Sequence, residues 1–89
     1  MKIYKYIITP HFENIIKMPV GAEILSLQFQ DPSAVIWAKV DTSSHVFEDR
    51  VFHIYATGEN LQDTSEEYVG TFQIPSERLA FHVFEKKQS

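Results

Sequence analysis

The sequence predicts an all-β domain of about seven short antiparallel strands, arranged as a meander, a small β-sandwich or a partly open barrel. Apolar and polar residues alternate along most of the chain, which is the period of a strand, and no segment shows helical periodicity bounded by capping residues. Proline, glycine and polar clusters separate the apolar stretches at short intervals. We expect residues 1–89 to form a single domain with a frayed tail at 84–89.

The first strands are predicted at residues 2–8, 12–17 and 23–30. Pro10 lies between the first two and interrupts pairing, because proline has no backbone N–H to donate. Proline and glycine also mark the loop at 18–22. The third strand alternates apolar and polar side chains, so it is expected to bury one face and expose the other.

A hairpin is predicted where residues 23–30 are followed by a turn at 31–34 and a strand at 34–41. The Asp31 side chain can accept a hydrogen bond from the backbone ahead of it, and Pro32 has the fixed φ angle that suits the second position of a turn. We therefore expect the third and fourth strands to be neighbours in one sheet.

The last three strands are predicted at residues 50–57, 68–74 and 79–85. A polar loop leads into the first of them, and a longer acidic connection follows it from Gly58 onwards. Gly70 lies inside a strand, which indicates a β-bulge or a close contact with another part of the chain.

The composition indicates a domain held together by apolar burial. There are no cysteines, so neither disulfides nor thiolate ligands contribute, but 44% of the residues are hydrophobic and 13% are aromatic. The apolar runs are too short for a membrane span, and the first ten residues alternate where a signal peptide would be continuously apolar. We therefore expect a cytoplasmic protein that makes no membrane contact.

The net charge of −4 is distributed unevenly. The segment 41–67 contains seven acids and one base, Arg50, so it carries −6, and the remaining residues carry +2. This balance argues against direct nucleic-acid binding, because that affinity comes largely from Lys and Arg contacts to phosphates. The acids could steer the protein towards a basic partner, or could simply keep a small domain soluble. The candidates for partner steering are Glu48, Asp49, Glu59, Asp63, Glu66 and Glu67.

Several of the predicted strands are apolar on both faces. If Ile36, Phe52 and Phe81 point into the core, the alternation places a second set of apolar and aromatic side chains on the opposite face, with Lys39 at its margin. A surface of this composition is typical of an interface core. The candidate interface residues are Val35, Trp37, Val51, His53, Tyr55, His82 and Phe84.

Three kinds of cover could hide this second face. The first two strands could fold across it as a second layer, a second copy could pack on it, or a different protein could dock there. A chain this short gains most from burying the face permanently, and a two-fold dimer needs one self-complementary patch. We therefore expect a homodimer.

The sequence predicts no catalytic residue, no metal site and no cofactor. Four histidines are present, His11, His45, His53 and His82, and no two of them have the spacing of a metal-binding motif. The chain has no cysteine, no serine in a nucleophile elbow and no glycine-rich phosphate loop. The protein is therefore expected not to be an enzyme.

Binding of a small ligand, such as a nucleotide signal, is the alternative function. The aromatic rings of Trp37, His53 and Tyr55 could stack on a base, and Arg50 or Lys39 could meet a phosphate.

A series of motifs also carries a family resemblance. The segments are "IIKMPVGAEILSLQFQ", "AVIWAKVD", "RVFHIYATGE", "YVGTFQI" and "LAFHVFE", with matching positions that include Met18, Pro19, Gly21, Trp37, Tyr55, Gly58, Gly70, Phe81 and His82. Together they cover nearly the whole chain, which resembles a family of short proteins encoded by bacteriophages and prophages.

The resemblance implies a setting for the function. Small phage proteins of this kind commonly bind and block a protein of the host, often a component of an anti-phage defence system such as a BREX or restriction-type ATPase. The implied partner is a bacterial host protein, and the implied location is the cytoplasm of the host cell. A minor structural role in the virion is a further alternative.

Overall fold

The computed structural model describes residues 1–63 and 65–87. Within them the chain forms strands and no helix. The strands are β1 (Lys2–Ile8), β2 (Glu13–Pro19), β3 (Glu23–Gln30), β4 (Ser33–Val40), β5 (Phe47–Ala56), β6 (Glu67–Ile74) and β7 (Leu79–Glu85).

The strands form two antiparallel sheets. One sheet has three strands in the order β1-β4-β3, and the other has four in the order β2-β5-β7-β6. The sheets pack as a small sandwich and do not close into a barrel, which confirms the predicted all-β fold class. The strand order departs from a simple meander, because β1 and β2 enter different sheets and so do β4 and β5. The β3–β4 and β6–β7 hairpins join strands that are adjacent in sequence.

The core lies between the two sheets. Ile36, Ala38 and Val40, the face of β4 that was predicted to point inwards, have no exposed surface. From the facing sheet, Phe52 and Val83 are equally buried and belong to the same cluster. Burying side chains of this size is the main stabilising contribution in a domain without disulfides.

The limits of β1, β3 and β7 are as predicted, and those of the other strands differ from the prediction by one to three residues. β2 continues to Pro19, and β5 begins at Phe47 rather than at residue 50. β7 includes residues 84 and 85, which were also predicted to belong to a frayed tail, and the Lys86 N–H donates to the Val51 carbonyl at 2.9 Å. The expected fraying is therefore wrong for residues 84 and 85, which belong to the sheet, and residues 88 and 89 lie outside the described part of the chain.

The β3–β4 turn is tighter than predicted. Gln30 pairs with Ser33, so Asp31 and Pro32 alone form the loop. The Asp31–Pro32 peptide bond is cis, and Pro32 stands at the third position of the turn rather than the second.

The β-bulge and the close contact predicted at Gly70 are both confirmed. The register of β6 against β7 shifts between Tyr68 and Gly70, which is a β-bulge. A Cβ at position 70 would lie 3.1 Å from the Leu27 Cβ of β3, so a side chain there would press on the neighbouring sheet. Glycine therefore lets β3 and β6 approach closely along one side of the sandwich.

Candidate protein-interaction surface

The predicted second face is divided between two opposite surfaces of the sandwich. Trp37 and Val35 lie in β4, on the outer face of the three-stranded sheet. The other candidates, Val51, His53, Tyr55, His82 and Phe84, lie in β5 and β7, on the outer face of the four-stranded sheet. The expectation of one continuous surface is therefore wrong, because alternation along a strand does not say which sheet the strand joins.

The centre of the four-stranded sheet's outer face is covered by the chain itself. Tyr55 is 2% exposed and His53 is also buried. The Phe12 ring stacks on the His53 imidazole with centroids 4.5 Å apart, and it meets the Tyr55 ring edge-on at 5.4 Å. Phe84 contacts Tyr55 edge-on from β7. The first two strands do not form a second layer over this face. Phe12, the residue before β2, covers it instead, and His53 and Tyr55 are therefore removed from the accessible surface.

Glu66, from the connection between β5 and β6, completes this cover. Its carboxylate is buried, with Oε2 2.6 Å from His53 Nδ1, and its Oε1 accepts the Tyr55 hydroxyl at 2.5 Å. On the other side of the imidazole, His53 Nε2 lies 2.9 Å from Glu13 Oε2. Glu66 therefore ties the connection to the sheet and faces inwards, which corrects its assignment as an acid that steers a partner.

The Tyr55 hydroxyl lies under this cover and is a hydrogen-bond partner of Glu66. Loss of contact with water, reinforced by the hydrogen bond to Glu66, raises the pKa of Tyr55 above its ordinary value of 10.0. The neutral phenol donates to a buried carboxylate, and it also accepts the Gln62 N–H at 3.3 Å. The hydroxyl proton of Tyr55 thus forms the hydrogen bond that holds the β5–β6 connection against the sheet.

His82 occupies a second polar cluster on the same outer face. Its Nε2 lies 2.8 Å from Thr57 Oγ1 and its Nδ1 lies 2.8 Å from Thr71 Oγ1, which in turn bonds the Tyr68 hydroxyl at 2.6 Å. Both ring nitrogens of His53 and His82 thus have partners of their own. Across residues 1–63 and 65–87, no group of three or more possible ligands is placed to hold a metal ion.

The residues proposed for nucleotide binding do not come together. Trp37 and Lys39 lie on the outer face of one sheet, whereas His53 and Tyr55 lie under the cover of the other. Arg50 points to neither surface.

The Arg50 guanidinium is instead the centre of an internal ion-pair cluster. It binds the Glu85 carboxylate with two of its nitrogens, donates to the Ala22 carbonyl at 2.8 Å and lies 3.5 Å from Glu48. The cluster joins β5 to β7 and to the turn before β3, so Arg50 and Glu48 have structural roles.

The remaining acids are mostly engaged in local contacts. Asp49 lies 3.6 Å from Lys17 across the β2–β5 pair, and Glu59 accepts the Ala56 N–H at 2.7 Å. Asp63 accepts from Ser65, which lowers its pKa, and Glu67 is exposed at the start of β6. Steering of a basic partner by these acids stays a prediction.

The outer face of the three-stranded sheet is open where β1 forms its edge. Ile3 is 62% exposed and Ile7 is 58% exposed, with Lys5 between them on the same side of the strand. The Lys5 Nζ lies 5.8 Å from the centre of the half-buried Trp37 ring, and Val35 is buried beside them. Sequence reasoning missed Ile3 and Ile7 as surface residues, although the segment "KIYKYII" is apolar on both faces.

A second apolar patch lies on the other sheet, at its β2 edge. Ile15 is 60% exposed and pairs with Val51, and Phe47 is 54% exposed further along the same face. The Lys17–Asp49 ion pair lies between them, so the patch carries no net charge. Val51 is the one interface candidate from the sequence that belongs to this patch.

Comparisons with known proteins place the chain in a family. Within the residues that the structure describes, no helix is long and apolar enough to cross a membrane. No curated protein and no solved structure matches the chain significantly. The model of one family, described as a domain of unknown function (DUF7352), matches residues 1–89, and the chain therefore belongs to the DUF7352 family.

Proposed function

We propose that the protein is a non-enzymatic binding module that captures a segment of another protein at the edge strand β1. The observation that supports this proposal is that β1 has a side without a described strand partner and also exposes apolar side chains. β1 pairs with β4 on one side, and no described strand pairs with its other side. Ile3 and Ile7 are more than half exposed on this strand.

An edge of this kind is suited to strand addition. The backbone N–H and C=O groups of a free edge bind an extended segment of a partner, and the alternate side chains select the sequence. Large apolar side chains on a free edge also promote aggregation, so proteins normally avoid them unless they serve contact. Trp37, a residue type that often dominates binding energy, lies beside Ile3 and Ile7 on the same face.

The setting that we propose is inhibition of a host protein by a phage-encoded factor. The family resemblance in the motifs supports a bacteriophage or prophage origin, action in the cytoplasm of the host cell, and a target in an anti-phage defence system such as a BREX or restriction-type ATPase. The protein would block that target stoichiometrically, because strand addition occupies a surface without chemical turnover.

The test is affinity purification from bacterial host lysate, followed by mass spectrometry, with two matched variants. Ile3→Glu places a charge on the β1 edge, and Ile15→Glu places one on the other sheet at nearly the same exposure. We expect a host protein at stoichiometric yield with the wild type and with Ile15→Glu, and its loss with Ile3→Glu. Recovery that is equal for Ile3→Glu and the wild type would remove β1 as the binding edge.

Self-association is a second candidate, and it concerns the other patch. The neutral surface formed by Ile15, Phe47 and Val51 could pack against its own copy about a two-fold axis without opposing like charges. We propose this neutral surface as the site of the homodimer predicted from the sequence; it differs from the patch that the alternation suggested.

A further inference from the structure

We propose that the segment captured at β1 is acidic, with an Asp or Glu flanked at alternate positions by two apolar residues. This inference rests on the proposed function, because it names the chemistry of the partner that the β1 edge binds. The charges around that edge support it. The exposed isoleucines alone indicate only that the partner makes apolar contacts.

Lys5 is the central side chain of the exposed row on β1. Its Nζ lies 5.8 Å from the Trp37 ring centre and 3.4 Å from Gln30 Oε1, and both of these groups are neutral. Among the described residues Lys5 forms no ion pair, whereas Lys39 in the next strand binds Glu23 at 3.3 Å. The edge strand therefore presents a positive charge without an internal counter-charge.

The two sheets also differ in net charge. The strands of the three-stranded sheet contain three lysines and one glutamate, whereas those of the four-stranded sheet contain five acids and two bases. The basic residues of the first sheet are Lys2, Lys5 and Lys39. A segment that approaches the β1 side of the molecule is therefore steered favourably if it is negative.

The alternation of side chains along a strand predicts the sequence pattern of the captured segment. A strand added beside β1 places alternate side chains opposite Ile3, Lys5 and Ile7 on the outer face. Apolar residues fit opposite the two isoleucines, and a carboxylate fits opposite the lysine. A second copy of β1 would bring lysines to the same surface, and like charges across strands are unfavourable, so this edge disfavours self-pairing.

The test titrates the ¹⁵N-labelled protein with two acetylated peptides and follows its amide NMR signals. One peptide has the order threonine, valine, threonine, glutamate, threonine, valine, threonine, and the other replaces the glutamate with lysine. We expect the acidic peptide to shift the amides of β1 and to bind about tenfold more tightly than the basic one. Lys5→Gln should remove that preference, whereas Lys17→Gln, on the edge of the other sheet, should leave it unchanged.

The remaining outcomes separate this inference from the proposed function. If both peptides shift β1 with equal affinity, the inference fails and the edge remains a docking site. If neither peptide shifts β1 at millimolar concentration, both the inference and capture at this edge are overturned. Shifts of β1 that depend on protein concentration alone would show a second copy at the edge, which also overturns the inference.

Discussion

Tyr55 and Glu66 show how single residues decide whether a surface is internal. A phenol hydroxyl and a carboxylate meet at 2.5 Å under the rings of Phe12 and Phe84, where water has little access. A hydrogen bond to a charged group contributes about 1.5–3 kcal/mol, and leaving a buried carboxylate without its donor costs a similar amount. The connection between β5 and β6 therefore depends on this contact.

We predict that Tyr55→Phe lowers the free energy of unfolding by about 1.5–3 kcal/mol, measured by chemical denaturation at neutral pH. Tyr68→Phe is the matched control, because the Tyr68 hydroxyl bonds Thr71 on the exposed face and its loss should cost less than about 1 kcal/mol. Equal losses in the two variants would contradict the role of the buried contact.

Tyr55→Glu would set a second carboxylate against Glu66, so we expect it to unfold the protein rather than to alter its assembly.

The raised pKa of Tyr55 also predicts a loss of stability at alkaline pH. The folded protein holds this proton more tightly than the unfolded chain, so the contribution is complete below the ordinary pKa of 10.0 and is lost as the pH rises through the folded value. Unfolding free energies measured from about pH 8 to about pH 11 should fall for the wild type. The fall should be smaller for Tyr55→Phe, and an identical pH dependence in both proteins would refute the assignment.

At the scale of strands, the Arg50 cluster joins elements that local sequence does not connect. It links β5 to the end of β7 and to the turn before β3, and the side chains of Arg50 and Glu85 are both largely buried. An ion pair in this position is costly to break from one side, because the partner charge stays buried.

We predict that Arg50→Ala destabilises the protein by about 3–5 kcal/mol, measured by chemical denaturation. Lys17→Ala removes an ion pair with Asp49 whose side chains are 71% and 59% exposed, so it should cost less than about 1 kcal/mol. A small effect of Arg50→Ala would mean that Glu85 finds water or another donor after the change.

The two sheets also differ in what their aromatic residues contribute. Phe81 stacks on Phe72 with centroids 5.6 Å apart on the inner side of β7, whereas Trp37 lies on an outer face. Both rings are partly buried and lie outside the core cluster. Phe81→Ala should cost about 2 kcal/mol of unfolding free energy, because the ring packs on Phe72 between the sheets, and Trp37→Ala should cost less. Equal losses by thermal or chemical denaturation would show that the outer Trp37 face contributes as much to stability as the inner side of β7.

At the scale of the whole molecule, the sandwich has two chemically distinct outer surfaces. One is basic and apolar along β1, and the other has a neutral apolar patch at the β2 edge. Because these surfaces are separate, the proposed binding of a partner and the predicted self-association would use different residues.

We predict that the protein forms a homodimer through the neutral patch, with twice the monomer mass of 10.3 kDa by light scattering. Ile15→Lys should give a folded monomer, because it places a charge in the patch without touching the core, where Ile15 makes no contribution. Lys5→Gln, on the other sheet, should remain dimeric. A monomeric wild type at high micromolar concentration would contradict this assembly.

The strand segments themselves follow from the sequence, because alternation, proline and glycine act over a few residues. The limits of β1, β3 and β7, the inward face of β4 and the bulge at Gly70 could all be predicted in this way. The exposed isoleucines of β1 could not, because the same pattern fits a strand with two covered faces.

Only the tertiary structure decided which strands share a sheet and what covers each face. β1 pairs with β4 and β2 pairs with β5 across long stretches of chain, and no local signal encodes such pairing. For the same reason, Glu66 could be seen as acidic from the sequence, but its place beside His53 and Tyr55 required the fold. The sequence by itself determined the strands and their two-sided character, and long-range packing determined which sides meet solvent.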